Sequence, residues 1–271
     1  MPDSGLANRM RAVASGVALA AKSGRQAVVV WHRDKGLNAR FDDLFLTSDL
    51  PFELRETGQL PYALRYEKPR RKNLYISRLA PFFDGKSRIF QEHDSPEFNA
   101  WLERSLTGEE RGKSRDVVIH SGFIFHDIDA ALMNSIFLPA PDVERRMEEI
   151  LQGRRPDAAL QIRRTDNARA IEGSPLHRFE AVAEDLIEKN TDAMIFLATD
   201  DQPTKERLTG RFGSHIIFNP APASRITKEG MVDAAAELYI LSRSRHIYGS
   251  YWSSFSEIAA LMGGAELTVV R

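Results

Sequence analysis

The carboxyl half of the chain alternates short apolar runs with longer amphipathic ones, and that rhythm constrains the fold more than any other feature. Ala158–Ile162, Ala193–Ala198, His215–Phe218, His246–Tyr248 and Leu267–Val270 have strand length and little internal polarity. Between them, Leu176–Lys189, Pro203–Phe212, Gly230–Arg243 and Ser254–Met262 repeat apolar residues at helical spacing. Strands alternating with helices predict an α/β fold with a parallel sheet, because parallel neighbours need long crossover connections that cover both faces. Gly153-Arg154-Arg155-Pro156 follows a charged helix, Val143–Leu151, and precedes a strand. The reading therefore divides the chain into an amino-terminal α/β domain, 1–152, and a carboxyl-terminal one, 153–271.

The amino-terminal half is less regular. A helix is predicted over Leu6–Lys22 with Gly24 as its cap, then a buried strand at Ala27–Trp31. Residues 36–115 mix charges and aromatics with little period; a short helix is expected around Glu97–Leu106 and a strand at Val117–Ile119. Ala12–Ala21 follows two arginines as a signal-peptide core would, but Met10, Val13, Val17 and Ala20 recur at helical spacing and make it a folded helix. No apolar run reaches the ~20 residues that span a bilayer. The formal net charge of −1 gives no field to attract nucleic acid or an anionic membrane. Lys68, Arg70, Arg71 and Lys72 read as a solvated loop. The absence of cysteine excludes disulfides and thiolate metal sites and fits a reducing, cytoplasmic setting.

In doubly covered parallel sheets ligands meet the carboxyl ends of the strands. Three such ends carry chemistry: Arg163-Arg164-Thr165-Asp166, Thr199-Asp200-Asp201 and Gly249 to Ser254. Adjacent arginines leaving a strand point in opposite directions, so one can grip a phosphate with its planar fork while the other anchors the loop; the alternative is a surface ion pair with Asp166. Asp200 and Asp201 precede Gln202-Pro203, a helix-capping signal compatible with one of them holding a ribose or base. Ser254 to Glu257 reads as a capping box, and a serine-flanked helix start also suits phosphate. Asp233 and Glu237 share a helix stripe; Glu237 reads either as a guanine acceptor or as a solvated edge. Asp127-Ile128-Asp129 reads as a helix cap rather than a metal pair. P-loop, G-x-G-x-x-G, H-E-x-x-H and G-x-S-x-G patterns are missing from the sequence.

Four segments in this order carry a resemblance: GLANRMRAVASGVALAAKSGRQAVVVW, QIRRTD, FLATDD and MVDAAAELYILSRSRHIYGSYWSSFSEIAALM. Together they resemble the GDP-fucose-using transferase superfamily of α-1,6-fucosyltransferases, rhizobial nodulation fucosyltransferases and protein O-fucosyltransferases. The resemblance implies a GT-B-like architecture of two Rossmann-like domains, the second holding most of the donor. It implies inverting, metal-independent transfer of fucose from GDP-fucose to a glycan hydroxyl, with no further cofactor, as in polysaccharide biosynthesis. Arg163 and Arg164 fall on the catalytic arginines. Asp166, Asp200, Glu237, Ser250, Ser253 and Ser254 fall on donor-binding positions, and Asn8 and Arg9 on the first-domain loop that faces the diphosphate. The base stays open among His32, His120, His126 and an acidic residue. Gln161 departs from the family's histidine, and only four residues precede Gly5 where the family has a strand, so a reduced or differently built amino-terminal domain is expected. A non-catalytic nucleotide- or glycan-binding relative and a transferase using another nucleotide sugar are the alternatives. Acceptor and oligomeric state are not legible.

Overall fold

The computed structural model of the chain defines residues 1–58, 61–62, 66–69, 75–79, 87–91, 96–107, 116–165 and 168–271. Asp166, Arg70, Arg71 and Lys72 lie outside the described residues. The chain forms two compact units. One comprises Met1–Phe41, Thr47–Ile128 and Ser135–Phe137; the other comprises Asp42–Leu46, Asp129–Asn134 and Leu138–Arg271.

In the first unit, helix α1 (Leu6–Ser23) ends where expected: Gly24 has φ 64°, and its N–H reaches the carbonyls of Ala20 and Ala21. Met10, Val13 and Val17 of the predicted stripe are buried, with Leu6 one turn earlier, and Ala20 is half-buried. Strand β1 (Val28–His32) pairs in parallel with β2 (Glu53–Thr57), and β3 (Ser87–Phe90) pairs in parallel with β4 (Val117–His120). Strands β2 and β3 were not predicted. The β2 sequence, ELRET, is charged at three of five positions and never fully buried, so it lacks the apolar run that identifies a strand. Helix α2 (Pro96–Thr107) brings Phe98 against Ala12, Leu19 and Phe125. Met1 to Asp3 run beside the end of β4: Pro2 forms a parallel bridge with Ser121, Asp3 N donates to Ser121 O at 2.9 Å, and Ser121 N donates to Met1 O at 3.2 Å.

The second unit holds β5 (Ala158–Ile162), β6 (Ile195–Thr199), β7 (Ile216–Phe218), β8 (His246–Ser250) and β9 (Glu266–Val270), all parallel, in the order β7-β6-β5-β8-β9. Counted within the unit this is 3-2-1-4-5, a doubly wound sheet whose order reverses between β5 and β8. Helices α3 (Pro141–Leu151), α4 (Ala168–Gly173), α5 (Leu176–Lys189), α6 (Gln202–Phe212), α7 (Lys228–Ser242) and α8 (Ser254–Gly263) flank the strands in sequence. Every residue of β5 and β6 is buried, the mark of central parallel strands. Leu160, Ile162, Phe179, Ile195, Leu197, Leu208 and Ile216 form one core cluster. Helix α3, assigned to residues 1–152 from sequence, belongs to this second unit. Val143, Met147 and Ile150 form a buried i, i+4, i+7 stripe, and the helix packs on α7 and beside β7. No helix among the described residues is long and apolar enough to cross a membrane.

Candidate functional site

The loops after β6, β5 and β8 are neighbours because the strands are. Ser250 rivets two of them: its Oγ accepts from Arg163 N at 3.0 Å and donates to Gln161 O at 3.2 Å. Asp200 braces the same loop. Its Oδ1 accepts from Arg164 N at 2.7 Å; its Oδ2 accepts from Thr165 Oγ1 at 2.8 Å and lies 3.4 Å from Arg163 Nε. Asp201 caps α6, accepting from Thr204 N at 2.9 Å and Thr204 Oγ1 at 2.6 Å. Asp201 thus takes the capping role considered for the pair, while Asp200 shapes the arginine loop, a role the sequence reading did not give it.

The arginines diverge as strand alternation requires. Arg164 turns back to donate to Ile171 O at 3.2 Å, anchoring the loop to α4. Burial lowers its pKa, while Asp201 and Asp200 pull it up. Arg163 keeps its guanidinium beside Asp200, with 23% of the side chain exposed, where the sheet order reverses. An arginine at a topological switch point is well placed for a phosphate group.

Helix α8 starts one residue earlier in its cap than expected. Trp252 adopts φ 57°, and the turn it makes leaves Ser253, not Ser254, as N-cap. Ser253 makes no side-chain capping bond, and its Oγ is buried without a hydrogen-bond partner. The capping box read from Ser254 and Glu257 is therefore not the cap; Ser254 is the first helical residue, half-buried, and Ser256 Oγ donates to Ser253 O at 3.1 Å. A helix start whose N-cap hydroxyl leaves the first amides unserved presents donors and a positive dipole end to an anion. Gln161 Oε1 is likewise buried with no partner. Such orphans are rare in native interiors and call for a bonding group.

Glu237 is no solvated helix edge. It is half-buried on α7, hydrogen-bonded by Asn219, with Lys205 and Asp233 close by. Burial raises the Glu237 carboxyl well above the usual carboxylate range against the pull of Lys205, and Asp233 adds to the rise. Lys205 is itself 3% exposed and donates to Ala221 O at 2.8 Å. Asp233 pairs with Arg146 at 2.5 Å. Lys205 and Asn219 were missed from sequence, although a signal existed: Thr204, Lys205, Leu208 and Phe212 are all buried on α6, so the lysine falls on a core stripe.

In the first unit, Asn8 is half-buried and its Oδ1 has no partner. Arg9 is wholly buried: its guanidinium donates to Ser4 O at 2.8 Å and to His32 O, and pairs with Asp34 at 2.9 Å. A guanidinium so committed offers no surface to a diphosphate in this arrangement; it braces the interior instead. Asp3, His32 and Asp34 bring ligand-type atoms within 4.8 Å of one another, but the Arg9 cation already neutralises Asp34. Asp129 caps the helix Ala130–Ile136, its Oδ1 accepting from Leu132 N at 2.7 Å, as the Asp127-x-Asp129 reading expected. His32 is bonded to Asp34 and stacked on Tyr62, His120 is stacked on Phe90, and His126 is half-buried.

No protein-family profile matches the chain, and no curated protein matches it by sequence. Solved structures share its fold. NodZ α-1,6-fucosyltransferase soaked with GDP-fucose aligns with a TM-score of 0.62 and 16% identity over 96% of this chain and 89% of that one; NodZ structures from Bradyrhizobium also match. A mutant of Arabidopsis thaliana FUT1 in complex with GDP gives 0.63 and 17% over 98% of this chain and 68% of its own. POFUT1 in complex with GDP gives 0.56 and 10% over 99% of this chain and 96% of its own. At these identities the likeness is one of fold.

Proposed function

We propose that the chain is an inverting, metal-independent glycosyltransferase that moves fucose from GDP-fucose to a glycan hydroxyl, with GT-B-type organisation and most donor contacts in the second unit. The observation that carries the reading is Arg163, fixed by Ser250 and Asp200 at the switch point between β5 and β8, on the loop next to the uncapped start of α8. The fold shared with NodZ, FUT1 and POFUT1 supports it. Departure of GDP builds negative charge on the β-phosphate. The Arg163 guanidinium and the first amides of α8 would meet that charge, with Ser253 and Ser254 hydroxyls beside them. Arg164 and Asp200 would hold the loop in register, and Ser250 would lock it to the neighbouring strand. Glu237 and Asn219 form an acceptor–donor pair suited to a guanine edge, whose N–H groups favour the ionised carboxylate. Asp166 and Asn8 would contact the donor, and Arg9, enclosed and paired with Asp34, would serve packing. A cytoplasmic role in polysaccharide synthesis goes with this reading.

A second reading, a nucleotide-binding relative without turnover, draws on Gln161, which stands where the resembling family has histidine. Thermal shifts with GDP, UDP and dTDP separate the donors, since a ligand of the folded state raises its stability. GDP alone is expected to raise the midpoint, and Arg163→Ala is expected to lower GDP-fucose turnover by roughly 10²–10³-fold, the loss typical of one oxyanion-type donor. A shift with UDP and none with GDP would remove the fucose assignment. GDP binding without turnover across an acceptor panel would favour the second reading.

A further inference from the structure

The turn between β8 and α8 presents a large aromatic ring to solvent. Trp252 is 43% exposed and adopts φ 57°, a left-handed conformation that bulky residues rarely take. Both neighbours hold it there. Tyr251 N donates to Ser174 Oγ at 2.8 Å, tying the turn to the end of α4, and Ser253 opens α8. A strained backbone of this kind needs something that rewards it, and burial of the indole is only partial. The guanidinium of Arg169, exposed on α4, lies 4.9 Å from the ring centroid. A planar cation stacked on the indole steadies its orientation at the carboxyl edge of the sheet.

The groups assigned to the donor follow one another along that edge. The strand order is β7-β6-β5-β8-β9. Asn219, which hydrogen-bonds Glu237, follows β7. Arg163 follows β5, and the start of α8 follows β8. A guanine at Glu237 and a diphosphate at Arg163 therefore run from β7 toward β8, across the switch point. GDP-fucose is a linear molecule of base, ribose, diphosphate and hexose, so its hexose comes last, past the α8 start. Trp252 and Arg169 stand there: α4 packs on β8, and Trp252 directly precedes Ser253. Fucose suits an indole. One face of its ring gathers C–H bonds, and its sixth carbon is a methyl group. Polarised C–H bonds meet the negative face of the π-system, and the contact removes apolar surface of both partners from water.

We infer that the indole of Trp252 is the stacking platform for the hexose of the donor. The inference rests on the reading of this unit as a GDP-fucose site, and adds to it the residue that tells the sugar nucleotide from the bare nucleotide.

Calorimetric titration of the whole chain with GDP and with GDP-fucose tests it. Trp252→Asn removes the ring and tolerates the left-handed backbone, so its cooperative melt is expected to survive. Affinity for GDP-fucose is expected to fall by about five- to tenfold and affinity for GDP by less than about twofold, with Trp252→Phe recovering most of the loss. Equal losses for the two ligands would assign Trp252 to the phosphate turn, and no loss for either would leave it a surface stack with Arg169. Both results overturn the inference while leaving the nucleotide site standing. Failure of the wild type to bind GDP removes the site and the inference together. Saturation-transfer NMR on the wild-type protein checks the contact without a variant. Irradiation of the aromatic protons is expected to reach the methyl and ring protons of the fucose in bound GDP-fucose; transfer confined to guanine and ribose overturns the platform.

Discussion

At the residue scale the chain separates groups that hold structure from groups left to bind. Arg9 and Asp34 belong to the first kind. Arg9 is fully buried and depends on Asp34, one third exposed, for neutralisation. Against the burial that would raise it, the hydrogen bond from His32 and the Arg9 charge hold the Asp34 carboxyl down at about 2. A carboxyl depressed on folding contributes stability above its ordinary pKa near 3.8 and loses it as pH falls toward 2. Asp34→Asn is therefore expected to destabilise by on the order of 2–4 kcal/mol at pH 7, because it strands a buried cation. The gap in melting temperature between wild type and variant should be constant above about pH 5 and close as pH falls to 2. A gap that widens in acid would contradict the arrangement. Ser253 and Gln161 belong to the second kind: each buries a polar atom with no partner, both in the unit that carries the arginine loop.

At the scale of elements, the approach of β8 to α8 sets the candidate phosphate site. Gly249 makes it possible: a Cβ there would lie 2.5 Å from Ser256 Oγ, 2.7 Å from Ser256 Cβ and 3.2 Å from Leu267. Ser256 is buried and bonded to Ser253 O, so it cannot swing away cheaply. Gly249→Ala is expected to cost on the order of 1–3 kcal/mol by overpacking, read as a lower urea midpoint at unchanged slope. It should also weaken GDP binding, because α8 can yield only by moving its start away from the Ser250 rivet. Unaltered GDP affinity in a destabilised Gly249→Ala would separate the turn from the site.

At the scale of the molecule, the second unit recruits chain from outside residues 153–271. Phe45 bridges Pro139, and α3 buries Val143, Met147 and Ile150. Each such side chain contributes roughly 1.5–3 kcal/mol when buried. Arg146 of α3 also serves Asp233, beside Glu237. A fragment of residues 153–271 is thus expected to lack a cooperative melt, whereas 138–271 should retain one at lower temperature; circular dichroism melts compare them. A cooperative, wild-type-like melt of 153–271 would show that α3 is dispensable.

The sequence alone determined the parallel sheet of the second unit and the positions of its five strands, because central parallel strands are continuous apolar runs that period and length identify. It also brought Arg163, Asp200 and Ser250 to one sheet edge, since position after a strand is a sequence property once the topology is parallel. Tertiary structure decided the rest. Local spacing could not tell that Asp200 braces a loop while Asp201 caps, that Ser253 replaces Ser254 as N-cap, or that Glu237 is enclosed with Lys205 and Asn219. Some depend on contacts across tens of residues, as between Arg164 N and Asp200, and others on a local backbone turn, as at Trp252, that spacing does not encode. Strands β2 and β3 escaped notice because they are mixed in polarity and, among the described residues, paired on one side only; they are strands by virtue of their neighbours.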